Sequence, residues 1–489
     1  MGVIVSLAME AAFEGSANYA GGLGVLEADK FYAAGRLGLP YVLVVPFYPY
    51  GYVDYVSANR SRIVEVRHRH SFRFLSRLEP LGSLSVRGAG GRLIADVDLY
   101  LYLSGSARAI LYRVKRPPRA SKLFKHVYRH HADECTYYIT AAAVSAEIAR
   151  RYGGDNAIVD VQEAHLALAP YLLPSQFTVR FITHTPGPWG HPRLCKGEAE
   201  EALGVSLPSV GTMTEAAMDA ALEAYAVSRK HAEITRKLFP NYAGKIKHVT
   251  NAIDLEKWQR IKKDPGSPEA LAFEKLKLRR ELASLIASLS GRRVDDKLII
   301  VWSRRIVKYK RPYFLEMLAE ERDLKDRIFI FAAGKPHPHD SWGRSIAERL
   351  IRASREKSNI YFHPTYDTEI AYYAISGADI LLFTPFPGWE ASGTSQLKAM
   401  ANGTPILSSR DGASLEFIED NVNSWLFGSD LEEFINIEED ERARKIDEED
   451  YEDMIRKLQN IVDLYETRRH EYNEISYRAY RETPKLGIE

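Results

Sequence analysis

The run Ile380-Leu381-Leu382-Phe383, with Glu390-Ala391-Ser392-Gly393-Thr394-Ser395-Gln396-Leu397-Lys398 shortly after it, sets the architecture of this chain. Four apolar residues, a loop of small and polar ones, and helix-compatible residues through Ala401 read as strand, loop and helix start. The same alternation recurs upstream, with apolar runs at 298–302, 328–332 and 360–362, and downstream at 405–408. The first half repeats it with runs at 3–7, 41–46, 158–161, 177–182 and 246–250. Strands alternating with helical stretches predict parallel sheets covered on both faces. The expected fold is α/β, with two Rossmann-like doubly wound domains facing across a cleft and ligands at their strand ends.

Between residues 53 and 115 the texture changes. Ile63-Val64-Glu65-Val66-Arg67 and residues 93–103 alternate with period two, which predicts a small antiparallel β insertion in the first domain. Lys-Lys-Asp-Pro-Gly-Ser-Pro at 262–268 breaks the pattern and marks the expected boundary between domains 1–262 and 270–489. Beyond about Leu431 the chain is rich in Glu, Asp and Arg and reads as a solvated helical layer.

A chain of 489 residues exceeds one typical core, and a net charge of +1 disfavours a nucleic-acid or anionic-membrane surface. Two cysteines, Cys135 and Cys195, form no C-x-x-C pair and suggest no disulfide framework, as expected for a reducing cytoplasm. No apolar run approaches a membrane span, and Glu10 interrupts the apolar start that a signal peptide would need. His130, His131, Asp133 and Cys135 have metal-binding side chains, but their spacing fits no common zinc pattern, so no metal is expected.

Small residues at a helix N-terminus expose backbone N–H groups and the positive end of the helix dipole, a setting that suits a phosphate. Lys398 follows Thr394 by four positions, so both occupy one helical face roughly 6 Å apart along the axis. Pyridoxal phosphate carries its phosphate and aldehyde at a comparable separation. Thr394 and Ser395 are therefore candidates for the phosphate, Lys398 for an imine, and Glu390 for the same cavity. An ordinary Ser/Thr-capped helix with a solvent lysine is the other reading.

Three further loops carry chemistry. Asn18-Tyr19-Ala20-Gly21-Gly22-Leu23-Gly24 follows the first strand and reads as a phosphate loop or a tight turn. Ser303-Arg304-Arg305-Ile306-Val307-Lys308-Tyr309-Lys310-Arg311-Pro312 packs five cations after a strand, and Arg305 with Lys310 can clamp a free phosphate. The alternative is a basic surface loop. Glu163-Ala164-His165 and Thr183-His184-Thr185-Pro186, with Gly190-His191, place polar groups at strand ends as a sugar pocket requires. Asn251 in Thr250-Asn251-Ala252-Ile253-Asp254, with Trp258 beyond, is a candidate for sugar hydroxyls.

Taken in order, these motifs resemble the α-glucan phosphorylases, in their short prokaryotic form. The resemblance rests on Asn18 through Leu26, Gly38-Leu39-Pro40, Tyr50-Gly51-Tyr52 and Thr183 through Pro186. It continues in Val227 through His231, Arg305-Ile306 with Tyr309-Lys310-Arg311, Ala333-Gly334-Lys335, Tyr366 and Glu390 through Lys398. The family resemblance implies pyridoxal 5'-phosphate on Lys398, with Thr394, Ser395 and Arg304 on its phosphate and Tyr366 near its ring. It implies Arg305, Lys310 and the amides of Gly21 and Gly22 on inorganic phosphate. Glu390, Ser392, Asn251, Tyr309 and His184 would line the glucosyl pocket. The implied reaction is retaining phosphorolysis of α-1,4-glucan to α-glucose 1-phosphate in the cytoplasm, by a homodimer. Ala252 and Asp254 depart from the family pattern and put the shape of the Asn251 loop in question. A nucleotide-sugar-dependent glycosyltransferase of the glycogen-synthase type shares the fold and is the competing expectation. A catalytically dead glucan-binding protein is a third, disfavoured by intact Lys398, Arg305, Lys310 and Glu390.

Overall fold

The computed structural model describes residues 2–58, 61–129, 132–294 and 296–488. They divide into two compact units, one of Met1–Tyr52, Arg67–Asn251 and Ile488–Glu489, the other of Val53–Val66 and Ala252–Gly487. The strands of the first half are β1 (Ile4–Leu7), β2 (Tyr41–Pro46), β3 (Val53–Ser57), β4 (Ile63–Arg67), β5 (Glu79–Arg87) and β6 (Leu93–Ser104). They continue with β7 (Ala107–Arg116), β8 (Ile158–Gln162), β9 (Thr178–Ile182), β10 (Glu223–Ala226) and β11 (Ile246–His248). The second half supplies β12 (Leu298–Ser303), β13 (Ile328–Ala333), β14 (Ile360–His363), β15 (Ile380–Phe383), β16 (Ile406–Ser409) and β17 (Trp425–Phe427).

Unit 2 holds a six-stranded sheet in the order β14-β13-β12-β15-β16-β17, and each pair is parallel. Every residue of β12, β13, β15 and β16 is buried, because helices cover both faces and leave no alternation of apolar and polar side chains. The order reverses between β12 and β15. In an open α/β sheet that reversal leaves a crevice at the carboxyl ends of the two strands. The loops that open there carry Arg304 through Lys310 and Pro385 through Thr394. Helices Arg442–Thr467 and Arg469–Arg481 form the expected charged layer. Arg311, fully buried, joins that layer to the strand-end loop through Asp450 at 2.7 Å and Asp447 at 3.3 Å.

Unit 1 follows the same logic in a nine-stranded sheet, β11-β10-β9-β8-β1-β2-β7-β6-β5. Strands β11 through β2 in that order run parallel, and the reversal falls between β1 and β8. Strand β7 joins β2 in parallel, and β6 and β5 add antiparallel strands at the edge.

Three expectations are corrected. The period-two segment 53–115 is not one insertion in the first domain. Strands β5 to β7 extend the main sheet, whereas β3 and β4 pair separately and group with unit 2. Alternation reports which face of a strand is buried, not which body buries it. Asp54 pairs with the buried Lys335 at 2.6 Å, Thr365 donates its hydroxyl to the Tyr55 carbonyl, and Ile63 N–H reaches Glu348. The boundary falls after Asn251 rather than near 262–269. Asn402 Nδ2 donates to the Trp258 carbonyl and the Arg260 amide donates to Asn402 Oδ1, which anchors the connecting segment in unit 2. Finally, Cys135 and Cys195 form a disulfide with Cα atoms 5.8 Å apart. Their separation of 60 residues hides the pair from a reading of spacing, and the fold supplies it by setting the start of helix Glu134–Tyr152 beside the start of helix Lys196–Leu203. Among the described residues no helix is long and apolar enough to cross a membrane, and no cluster of three metal-ligating side chains occurs. His130 and His131 lie outside the described residues.

Candidate functional site

The switch point of unit 2 gathers most of the candidates. Arg304 leaves the end of β12 and lays its guanidinium over the Phe383 ring at 3.9 Å. Its Nη2 donates to Glu390 Oε2, and Lys310 Nζ reaches the same oxygen at 3.2 Å. One carboxylate oxygen therefore balances two cations, all three side chains being buried. Nε and Nη1 of Arg304 are buried with no hydrogen-bond partner among the described residues. Burial opposes ionisation of Glu390, but the Lys310 and Arg304 charges outweigh it and hold the carboxyl below its ordinary range. Burial, reinforced by the Arg304 charge, pushes Lys310 down to about 7 despite Glu390. Arg305 is half-buried, and its charge acts on both Lys310 and Glu390.

Tyr309 is buried and stacks on Trp389, with centroids 5.9 Å apart at 26°. Its ring belongs to the cluster that seats the loop, with Phe386 and Ile435. Tyr366 lies half-buried after β14, and burial pushes its hydroxyl up to about 12 while the Arg304 charge pulls it down.

The helix expected to run from Thr394 is short, Ser395–Met400, and Thr394 precedes it without a side-chain cap. Six residues sum few peptide dipoles, so an anion here relies on Arg304 and the hydroxyls more than on the helix end. Gly393 has a steric reason. A Cβ there would lie 2.5 Å from Phe383 Cζ, so only glycine lets this turn approach the ring on which Arg304 rests. Lys398 is buried, its Nζ 3.9 Å from the centre of the Trp258 ring. Asn402 ties the two together, its Nδ2 donating to the carbonyls of both Lys398 and Trp258 at 2.8 Å. Asp254, a departure noted in the sequence, caps helix Leu255–Trp258 by accepting from Glu256 N–H at 3.0 Å, and so presents Trp258. Ser392 is buried beside Glu390 in the chain.

Unit 1 places a different set at its own switch point. The Gly21 amide, expected with that of Gly22 to face a phosphate, donates to Glu10 Oε2 as the Ala20 amide does, and Tyr128 donates to Glu10 Oε1 at 3.1 Å. An internal carboxylate thus occupies the Gly21 donor. Gly22 opens helix Gly22–Arg36 with open space where its Cβ would be. Glu163, at φ 69°, accepts from His184 N–H at 2.9 Å and the Thr185 hydroxyl at 2.6 Å through Oε1, while Oε2 has no partner among the described residues. Burial pushes Glu163 up to about 7. His184 Nε2 pairs with Gln162 Oε1 at 2.8 Å, and burial with the Lys30 charge holds the imidazole well below its ordinary value. It is neutral at pH 7. Asn251 closes the unit with its backbone N–H donating to the Val227 carbonyl at 3.1 Å.

Sequence reading gave no role to Glu10 or Asp411, both buried and both in contact with a candidate segment, and named Trp258 only beside the Asn251 loop. The signal at Asp411 was an acidic residue before glycine just after a strand, a pattern too common to single out.

Residues 233–483, just over half of the chain, match the family model described as carbohydrate phosphorylase. Among relatives, an uncharacterized Methanocaldococcus jannaschii protein is 27% identical over 82% of this chain and 82% of its own. The maltodextrin phosphorylase of Thermococcus litoralis is 24% identical, covering 92% of this chain and 63% of that protein. The glycogen phosphorylase of Aquifex aeolicus is 34% identical over 27% of this chain and 20% of its own. The chain thus spans less than two thirds of these two named phosphorylases. A solved structure, the catalytic domain of starch synthase IV from Arabidopsis thaliana bound to ADP and acarbose, superposes with a TM-score of 0.73 at 14% identity. It covers 98% of this chain and 95% of that one, a likeness of fold that makes the architecture GT-B type. With more than half of its length in that single family model, the chain belongs to the carbohydrate phosphorylases.

Proposed function

We propose that this protein is an α-glucan phosphorylase that uses pyridoxal 5'-phosphate. The reaction would be the reversible, retaining transfer of a terminal α-1,4-linked glucosyl unit to inorganic phosphate. The bond from C1 to the glycosidic oxygen breaks, a C1–O bond to phosphate forms, and the leaving oxygen takes a proton. One observation carries the reading: a buried guanidinium with two unpartnered nitrogens at the strand-end switch point that also holds Glu390 and Lys310. Unpaired buried donors of that kind cost free energy unless an anion meets them.

The residues fit the cofactor. Lys398, buried against Trp258, would hold it, with Arg304, Thr394 and Ser395 on its phosphate and Tyr366 beside its ring. When bound, the cofactor supplies a phosphate that can give and take a proton next to the substrate phosphate. Arg305 and Lys310 would hold inorganic phosphate, the first by its planar fork and the second as a point charge. Their charges stabilise negative charge as it develops on the reacting oxygens. Glu390 and Ser392 in unit 2, and neutral His184 with Asn251 in unit 1, are assigned to glucan hydroxyls. Neutral imidazole suits that task, since it can donate or accept without adding charge.

Maltodextrin with inorganic phosphate should yield glucose 1-phosphate without nucleotide or metal, and the purified protein should absorb as a protein-bound pyridoxal. Glucan extension from ADP-glucose or UDP-glucose alone, with no release by phosphate, would replace this reading with the nucleotide-sugar one.

A further inference from the structure

Asp411 lies in the loop after β16 and is 1% exposed. Its Oδ1 accepts from Gly388 N–H at 2.9 Å and from Gly412 N–H at 2.8 Å. Its Oδ2 accepts from Trp389 N–H at 3.1 Å and Glu390 N–H at 2.7 Å. Three consecutive amides, those of residues 388 to 390, therefore converge on one carboxylate, as amides of a backbone nest converge on a bound anion. Among the described residues Asp411 makes no ion pair; burial pushes its carboxyl up to about 7, and the amides of Glu390, Gly388 and Gly412 oppose this by favouring the carboxylate.

The arrangement fixes Glu390 from both ends. Its backbone is fastened to Asp411, and its side chain reaches Arg304 and Lys310. Gly412 allows the fastening to be this close: it sits at φ 54°, and a Cβ there would lie 2.5 Å from the Glu390 carbonyl oxygen. On the opposite side Trp389 donates its indole N–H to the Ile435 carbonyl at 2.7 Å and stacks on Tyr309, the residue before Lys310. The direction in which Glu390 projects is thus set by an interior carboxylate.

We propose that Asp411 is a positioning residue for Glu390, holding the backbone of residues 388 to 390 so that the Glu390 carboxylate meets both cations. This rests on the phosphorolytic reading above. Positioning of a charged group acts on the transition state more than on ground-state binding, because small misplacements are felt most where charge develops.

Two variants test it in the full chain with cofactor. Asp411→Asn keeps the shape but turns one acceptor into a donor facing N–H groups. It should lower kcat for phosphorolysis about 10²-fold while the phosphate KM changes less than about threefold and cofactor content stays at the wild-type level. Asp411→Ala empties a space lined by four amides, and sodium formate should restore at least about tenfold of the lost rate saturably, where sodium chloride restores none. Normal kcat in either variant overturns the proposal. So does a fall in which cofactor content and phosphate KM deteriorate along with kcat, or loss of the folded protein in both variants, since those outcomes mark a stability role. Absence of phosphorolysis in the wild-type protein would instead remove the reading on which the proposal rests.

Discussion

The two switch points of this molecule are built alike and left unsatisfied in opposite senses. In unit 1, between β1 and β8, the amide donors of Ala20 and Gly21 are met by Glu10, and among the carboxyl oxygens there Glu163 Oε2 remains an unpartnered acceptor. In unit 2, between β12 and β15, the acceptor Glu390 is met twice over, and among the charged groups what remains unpartnered are donors, Nε and Nη1 of Arg304. Polar groups buried without partners are costly, so what a site lacks is a guide to what it binds. The surplus of acceptors in unit 1 suits hydroxyl groups, and the surplus of donors in unit 2 suits phosphate. Sequence reading assigned phosphate to both loops because it saw glycines and helix starts at each. It had no means of seeing Glu10 meet the Ala20 and Gly21 amides.

Four experiments bear on that contrast. The largest effect is expected in unit 2, where Lys398→Ala should abolish cofactor binding and phosphorolysis together, read by absorbance and by glucose 1-phosphate release. A variant with full activity and no bound pyridoxal would deprive unit 2 of its assigned ligand. Next is the disulfide, a constraint confined to unit 1. Closing a 60-residue separation restricts the unfolded chain by about 4 kcal/mol. Cys135→Ser with Cys195→Ser should lower the denaturation midpoint of unit 1 accordingly and leave cofactor content unchanged. An equal loss in unit 2 would show that the constraint is not local.

Arg305→Ala should keep the cofactor and lower kcat roughly 10²–10³-fold, as loss of a preorganised donor does, whereas Glu10→Gln in unit 1 should change phosphate KM less than about threefold. Equal effects would erase the distinction between the two loops. The smallest expected effect is a proton count. Lys310 sits at about 7 in the ligand-free protein, so at pH 8 it is mostly neutral, and a phosphate dianion beside it favours the ammonium form. Phosphate binding at pH 8 should take up about 0.5 proton or more, measured by calorimetry in buffers of different ionisation enthalpy. The uptake should vanish in Lys310→Met. Stability runs the other way in pH. A lysine depressed from 10.5 to about 7 penalises the folded state fully below about 7, and that penalty fades as pH rises toward 10.5.

Much of this was legible because it was periodic. The continuous apolar runs at 298–302, 328–332 and 380–383 were strands buried on both faces, and they became β12, β13 and β15 with little shift. Arg304, Lys310 and Glu390 were each found as strand-end residues, and their meeting follows from the order β12 next to β15. What stayed hidden depends on partners distant in the chain. Nothing local marks Asp411 as the acceptor for three amides some twenty residues earlier. Nothing marks Cys195 as lying beside Cys135, or the alternating residues of β3 as belonging with Lys335. Periodicity encodes burial. Satisfaction of a particular polar group is decided only when the fold closes.

The hairpin of β3 and β4 has a consequence for how the chain is made. Unit 2 is discontinuous: its sheet begins only after Ala252, yet Asp54, which pairs with the buried Lys335, belongs to the N-terminal part of the sequence. During synthesis Asp54 leaves the ribosome long before Lys335 exists, and unit 1 forms around a segment that it does not keep. A fragment beginning at residue 252 would bury Lys335 with no carboxylate opposite it and would expose the surface that β3 covers. Excising either unit by cutting the gene at one point therefore yields two defective products, and a clean separation requires grafting the hairpin onto the C-terminal piece.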